Sequence, residues 1–92
     1  MKQLPQSDVY EQEYKYMPWG KTINEVIDTV VKLAPKGGII LDLMCGTGYL
    51  INEISKRRSD LILHGVDVSE EFIAHANIDY ASKNSKIKFN LR

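Results

Sequence analysis

Two glycines, Gly46 and Gly48, stand between an apolar run and an amphipathic stretch, and nineteen residues after Gly48 an acidic residue, Asp67, ends a second apolar run. Glycine has no Cβ, so the backbone at such a junction can turn sharply and a ligand can approach it closely. N–H groups at the start of the following helix lack partners within it, and with the helix dipole they favour a negatively charged ligand group such as a carboxylate. An acidic side chain at the carboxyl end of the neighbouring strand can accept hydrogen bonds from both hydroxyls of a ribose. Turn and acid together imply an adenosine-like ligand. The ordinary alternatives are a tight strand-to-helix turn without ligand for the glycines, and a solvated strand end or helix cap for Asp67.

Other reactive side chains carry less. Cys45 is the single cysteine; no histidine is placed beside it, and small apolar packing is the commoner fate of a lone thiol. His64 falls within a strand and His75 within a helix, and no metal-ligand spacing exists, so neither a metal nor a catalytic residue is assigned. Tyr10, Tyr14, Tyr16 and Trp19 form an aromatic group near the N-terminus. They either pack against the sheet edge or cover the ligand, where an aromatic face would suit a cationic group.

The elements that must position these residues follow from pattern. Residues 1–20 read as an N-terminal arm. Ile23, Val26, Ile27, Val30 and Val31 then draw one stripe down a helix from about Thr22 to Leu33. Pro35-Lys36-Gly37-Gly38 breaks it, and Ile39 to Leu43 follows as a strand expected to be buried on both faces. Leu50, Ile51 and Ile54 mark a crossover helix with Lys56, Arg57 and Arg58 in its last turn. Leu61 to Asp67 forms the second strand, and Ser69 caps a helix with Glu70 and Glu71 in its first turn and Phe72, Ile73, Ala76 and Tyr80 on its apolar face. Ile87 to Leu91 alternates as a third strand. The sum is a three-layer α/β, Rossmann-like βαβαβ half with parallel strands in the order 3-2-1 and right-handed crossovers.

The stretch Leu41-Asp42-Leu43-Met44-Cys45-Gly46-Thr47-Gly48 resembles the signature of class I S-adenosylmethionine (SAM)-dependent methyltransferases, an acidic residue followed by a G-x-G-x-G turn. Asp42, Gly46 and Gly48 match the acid and the last two glycines, while Met44 stands where the first glycine usually is. Gly65-Val66-Asp67-Val68-Ser69 resembles the second motif of the family. The resemblance implies SAM as cofactor, with ribose binding by Asp67, adenine packing by Val68, and contact with the methionyl part by the loop of Met44, Cys45, Gly46, Thr47 and Gly48. Asp42 would orient that loop or bind the cofactor's amino group through water. The implied reaction is methyl transfer to an O, N, C or S atom of an unknown, small-molecule acceptor, driven by proximity and alignment without a covalent intermediate. Family members run to about seven strands. Residues 21–92 would therefore be the cofactor-binding half of a domain that stops before strand 4, inactive alone.

Composition restricts the remaining classes. Twelve basic and twelve acidic residues give no net charge, which removes the usual electrostatic footprint of a nucleic-acid binder. No segment approaches a membrane span or a signal peptide, and one cysteine points to no oxidising compartment, so a cytoplasmic protein is expected. The exposed edge of the first strand invites self-association or exchange of elements. Two other readings stand: a non-catalytic Rossmann-like module or half of a split enzyme, and an NAD-dependent oxidoreductase. The last requires G-x-G-x-x-G after the first strand, where this chain has Met44, Gly46 and Tyr49.

Overall fold

The computed structural model describes residues 18–92, with side chains from Gly20 onward. Readings that concern the N-terminal arm, including Tyr10, Tyr14, Tyr16 and the side chain of Trp19, lie outside the described residues. The element order is α1 (Pro18–Leu33), β1 (Ile39–Leu43), α2 (Tyr49–Arg57), β2 (Ile62–Asp67), α3 (Glu70–Asp79), a 3-10 turn (Ala81–Lys83) and β3 (Ile87–Leu91). Helix α1 begins about a turn before the apolar stripe, because proline at a first helical position has a suitable φ and no N–H that needs a partner.

The three strands are parallel, with β2 between β1 and β3. This is the anticipated order. Ile39 pairs with Ile62 and Leu43 with Val66; Leu63 pairs with Ile87 and Gly65 with Phe89. Paired residues share a face of a sheet. Leu63, Gly65, Ile87 and Phe89 therefore lie on one side, and Ile39, Leu41, Leu43, Ile62, His64 and Val66 on the other.

One core forms on the first side. Ile27 of α1, Ile51 and Ile54 of α2, and Ile73 and Ala76 of α3 join Leu63, Ile87 and Phe89 in a single buried cluster. The opposite side departs from expectation. Ile39, Leu41 and Leu43 are 67%, 58% and 68% exposed, so β1 is covered on one face rather than two. All three described helices contribute to the same cluster, and the described residues thus supply two of the three expected layers. None of these helices is long and apolar enough to cross a membrane.

The sheet's lower end is tied by one guanidinium. Arg58 donates to the carbonyls of Val31, Ala34 and Pro35 at 2.8, 3.0 and 3.3 Å and pairs with Asp60 at 2.8 Å. Asp60 in turn accepts the Gly37 N–H at 2.8 Å. These contacts, foremost the Arg58 hydrogen bond, hold the Asp60 carboxyl below its ordinary pKa.

Candidate functional site

At the other end, the carboxyl tips of β1 and β2 carry the residues singled out by spacing. Cys45 N–H donates to the Val66 carbonyl at 2.8 Å, extending the β1–β2 ladder one step beyond the strand. The chain then turns through left-handed backbone at Met44 (φ 60°), Gly46 (φ 60°) and Gly48 (φ 88°). Gly48 is the N-cap of α2 and accepts the Asn52 N–H at 2.9 Å, so the loop feeds directly into the helix.

Asp67 and the glycine loop meet. Gly46 N–H donates to Asp67 Oδ2 at 2.9 Å, and Ser69 N–H donates to Oδ1 at 2.9 Å. Ser69 then caps α3 by accepting the Phe72 N–H at 3.1 Å. Asp67 is thus both the acid beside the loop and the anchor of the turn that starts α3. The loop is less open than anticipated: Gly46 N–H is engaged by Asp67, and Gly48 N–H by the Cys45 carbonyl at 3.1 Å. An ionised carboxylate beside free N–H groups attracts them for the same reason that an anionic ligand would.

Asp42 lies close enough for the charge on Asp67 to act on it. Burial first, and Asp67 second, push its carboxyl above the ordinary value. Among the described residues, neither carboxylate has an ion-pair partner. Two acids without a neutralising base make a centre that favours a cationic group.

Met44 and Val68 project at the tips, 80% and 77% exposed. The other loop positions point inward. Cys45 belongs to the buried cluster, its thiol 3.6 Å from the Gly46 carbonyl, and burial, then Asp42 and Asp67, raise its pKa to about 12. Its side chain is a packing group, and only its backbone faces the turn. Thr47 is fully buried, and its hydroxyl has no hydrogen-bond partner among the described residues. His64 is half-buried in β2, while His75 lies 3.2 Å from Asp79 along α3. Among the described residues no cluster suited to a metal ion occurs.

Two supporting residues escaped assignment. A Cβ on Gly65 would lie 2.8 Å from Cys45 Cβ and Sγ and from the Phe89 ring, so the loop can sit against β2 because that strand has a glycine there. Phe89 also underlies Gly48, where a Cβ would come within 2.6 Å of its ring. A glycine inside a strand is the signal for such close approach; for Phe89, which lies in β3 far along the chain from the loop, pattern offers none.

Comparison with known proteins identifies the family and the fold. A family model described as a methyltransferase domain matches residues 40–92. The chain is 32% identical over 72 residues to a carboxy-S-adenosyl-L-methionine synthase of Campylobacter curvus (strain 525.92), covering 78% of this chain and 30% of that protein. Among solved structures, the MccD protein superposes with a TM-score of 0.60 at 30% identity, covering 72% of this chain and 30% of that one. The plantazolicin methyltransferase BpumL, solved with a desmethylPZN analog and SAH, superposes with a TM-score of 0.63 at 25% identity, covering 91% of this chain and 32% of that one. The chain therefore spans 30% of the length of the curated relative. The family match takes in the loop, both acidic residues and all but the first residue of the sheet, and on that ground the chain belongs to the methyltransferase domain family.

Proposed function

We propose that this chain is the cofactor-binding portion of a SAM-dependent methyltransferase. The observation that carries the reading is the 2.9 Å bond from Gly46 N–H to the Asp67 carboxylate, which fixes the glycine turn and the acid as one unit at the strand tips. Each Asp67 oxygen accepts one N–H and retains a further acceptor site, so the carboxylate can still take ribose hydroxyls. Asp42 supplies uncompensated negative charge for the cofactor's ammonium and sulfonium, and exposed Val68 offers an apolar surface for adenine. SAM, when bound, supplies an activated methyl group. The chain's own residues bind and align it, and alignment is the main source of acceleration in a direct transfer.

The acceptor is proposed to be a small molecule. BpumL was solved with such an analog and SAH, which supports both the cofactor and this acceptor class. A second reading follows the curated relative: its name describes formation of carboxy-SAM, so the same residues would hold SAM as the molecule modified. Mass spectrometry of the SAM-derived product separates the two, SAH for the first and a carboxylated SAM for the second.

Saturating SAM should raise the stability of the chain by about 2.7 kcal/mol at a hundredfold excess over Kd. Unchanged melting with both SAM and SAH would favour a non-catalytic module instead. We also propose that the chain self-associates or exchanges elements through β1, which is an edge of the described sheet and carries exposed Ile39, Leu41 and Leu43.

A further inference from the structure

We propose that SAM binds this site with release of a proton, Asp42 being the group that gives it up and Asp67 the fixed negative charge beside it. The inference rests on the cofactor reading above and adds to it how binding is regulated. Asp42 pairs with Gly65 in the β1–β2 register, and Asp67 stands two residues further on, so the two acids occupy the same side of the sheet on adjacent strands. Their supports differ. Each Asp67 oxygen accepts a backbone N–H, from Gly46 or Ser69, which favours the ionised form. The Asp42 carboxyl has no hydrogen-bond or ion-pair partner among the described residues. Of two neighbouring carboxyls, the one without donors keeps the proton.

Nothing else described on that side neutralises the pair. Asp67 of β2 acts on Asp42, and both act on Cys45 of the loop, whose thiol stays neutral with its pKa raised to about 12. The helices over this side turn Ile27, Ile51, Ile54, Ile73 and Ala76 inward. Their charged side chains are exposed or held in the pairs Glu53–Lys56, Arg58–Asp60 and His75–Asp79. Tyr49 and Tyr80 are phenols, uncharged at acid pH, and His64 and Lys88 lie on the other side of the sheet. A cation is thus the missing partner. The ammonium and sulfonium of SAM favour the carboxylate form of Asp42, so the acid O–H bond breaks on binding and the proton passes to the buffer. By the same linkage, protonated Asp42 opposes binding, and affinity falls as pH drops through the value at which the free chain takes up this proton. Burial and Asp67 place that value above the ordinary 3.8.

The experiment is titration calorimetry of SAM into the wild-type chain and into Asp42→Asn at pH 5 and pH 7, each in two buffers of different ionisation enthalpy. Wild type should release a measurable fraction of a proton per SAM at pH 5 and almost none at pH 7. Its Kd should weaken as pH falls, approaching about tenfold per pH unit. Asp42→Asn should bind more weakly than wild type at pH 7, with no buffer dependence and little change at pH 5. The carboxyl carbon resonance of Asp42, titrated by NMR in the wild-type chain with and without saturating SAM, reads the same proton without a substitution, and its midpoint should fall when SAM is bound. No buffer dependence in wild type at pH 5, equal proton release in Asp42→Asn, or an unmoved midpoint would each overturn the proposal. A wild-type chain that binds no SAM at pH 7 fails the cofactor reading itself, whereas binding at pH 7 without the proton linkage fails this inference alone.

Discussion

The chemistry of the site reduces to two carboxylates with different duties. Asp67 is committed to backbone N–H groups on either side, at Gly46 and Ser69. Asp67→Ala should therefore lower both SAM affinity and folding stability, the latter by about 2 kcal/mol in denaturant titration, since charged hydrogen bonds contribute roughly 1.5–3 kcal/mol each and the site is partly wet. Asp42 has no such bonds, and its raised pKa sets the sign of a pH effect. The folded state binds this proton more tightly than the unfolded one. Its stabilising contribution is complete below the ordinary value of 3.8 and is lost as pH rises through the raised folded value. Asp42→Asn should accordingly melt higher than wild type at pH 7, with the gap closing toward pH 4, while binding SAM more weakly. Cys45, with its pKa pushed up to about 12, should resist thiol reagents at pH 8 until the protein is unfolded. Asp67 and the glycines were legible in the sequence from type and spacing, and Asp42 from the family resemblance. The burial of Cys45 followed from the usual fate of a lone thiol, whereas that of Thr47 was not legible, because a tight turn has no period that separates inward from outward positions.

Among the elements, the close seating of the loop on β2 and β3 makes the strongest demand. Gly48 has φ 88°, and a Cβ there would meet Phe89 at 2.6 Å and Tyr80 at 3.2 Å. Gly48→Ala combines overpacking with a disfavoured backbone and should cost about 2–4 kcal/mol, read as a lower midpoint in chemical denaturation. If the variant keeps wild-type stability, the loop is not seated as described. Strands β1 and β3 have the bounds expected from their apolar patterns, and Ser69 caps α3 as its position suggested. The start of α1 was missed, because Pro18 reads as a breaker in sequence but serves as a first helical residue. The burial of β1 was also misjudged. A run such as Ile39-Ile40-Leu41-Asp42-Leu43 is apolar on both sides whether or not something covers both.

For the whole molecule, that uncovered face is the dominant surface property. Leu41→Lys places a charge at its centre and should reduce any self-association detected by light scattering. The fold should stay within about 0.5 kcal/mol, because the side chain is 58% exposed. An unchanged particle mass from a wild type that does associate would assign the contact elsewhere. Family membership was visible from about fifteen positions, whereas the asymmetry of the two sheet faces needed the tertiary arrangement. The Arg58 network has a bearing on where the molecule yields. One guanidinium rivets the last turn of α1 to the turn before β2, and Asp60 stitches in the corner at Gly37. The opposite rim, by contrast, has no such multidentate tie among the described residues: Gly46 and Ser69 each give one N–H to Asp67, and Cys45 gives one to the Val66 carbonyl. Among the described residues the sheet is thus bound most firmly along one end, like a book at its spine. Breathing should begin at the ligand-facing margin, and amide exchange should run faster there than along the riveted base.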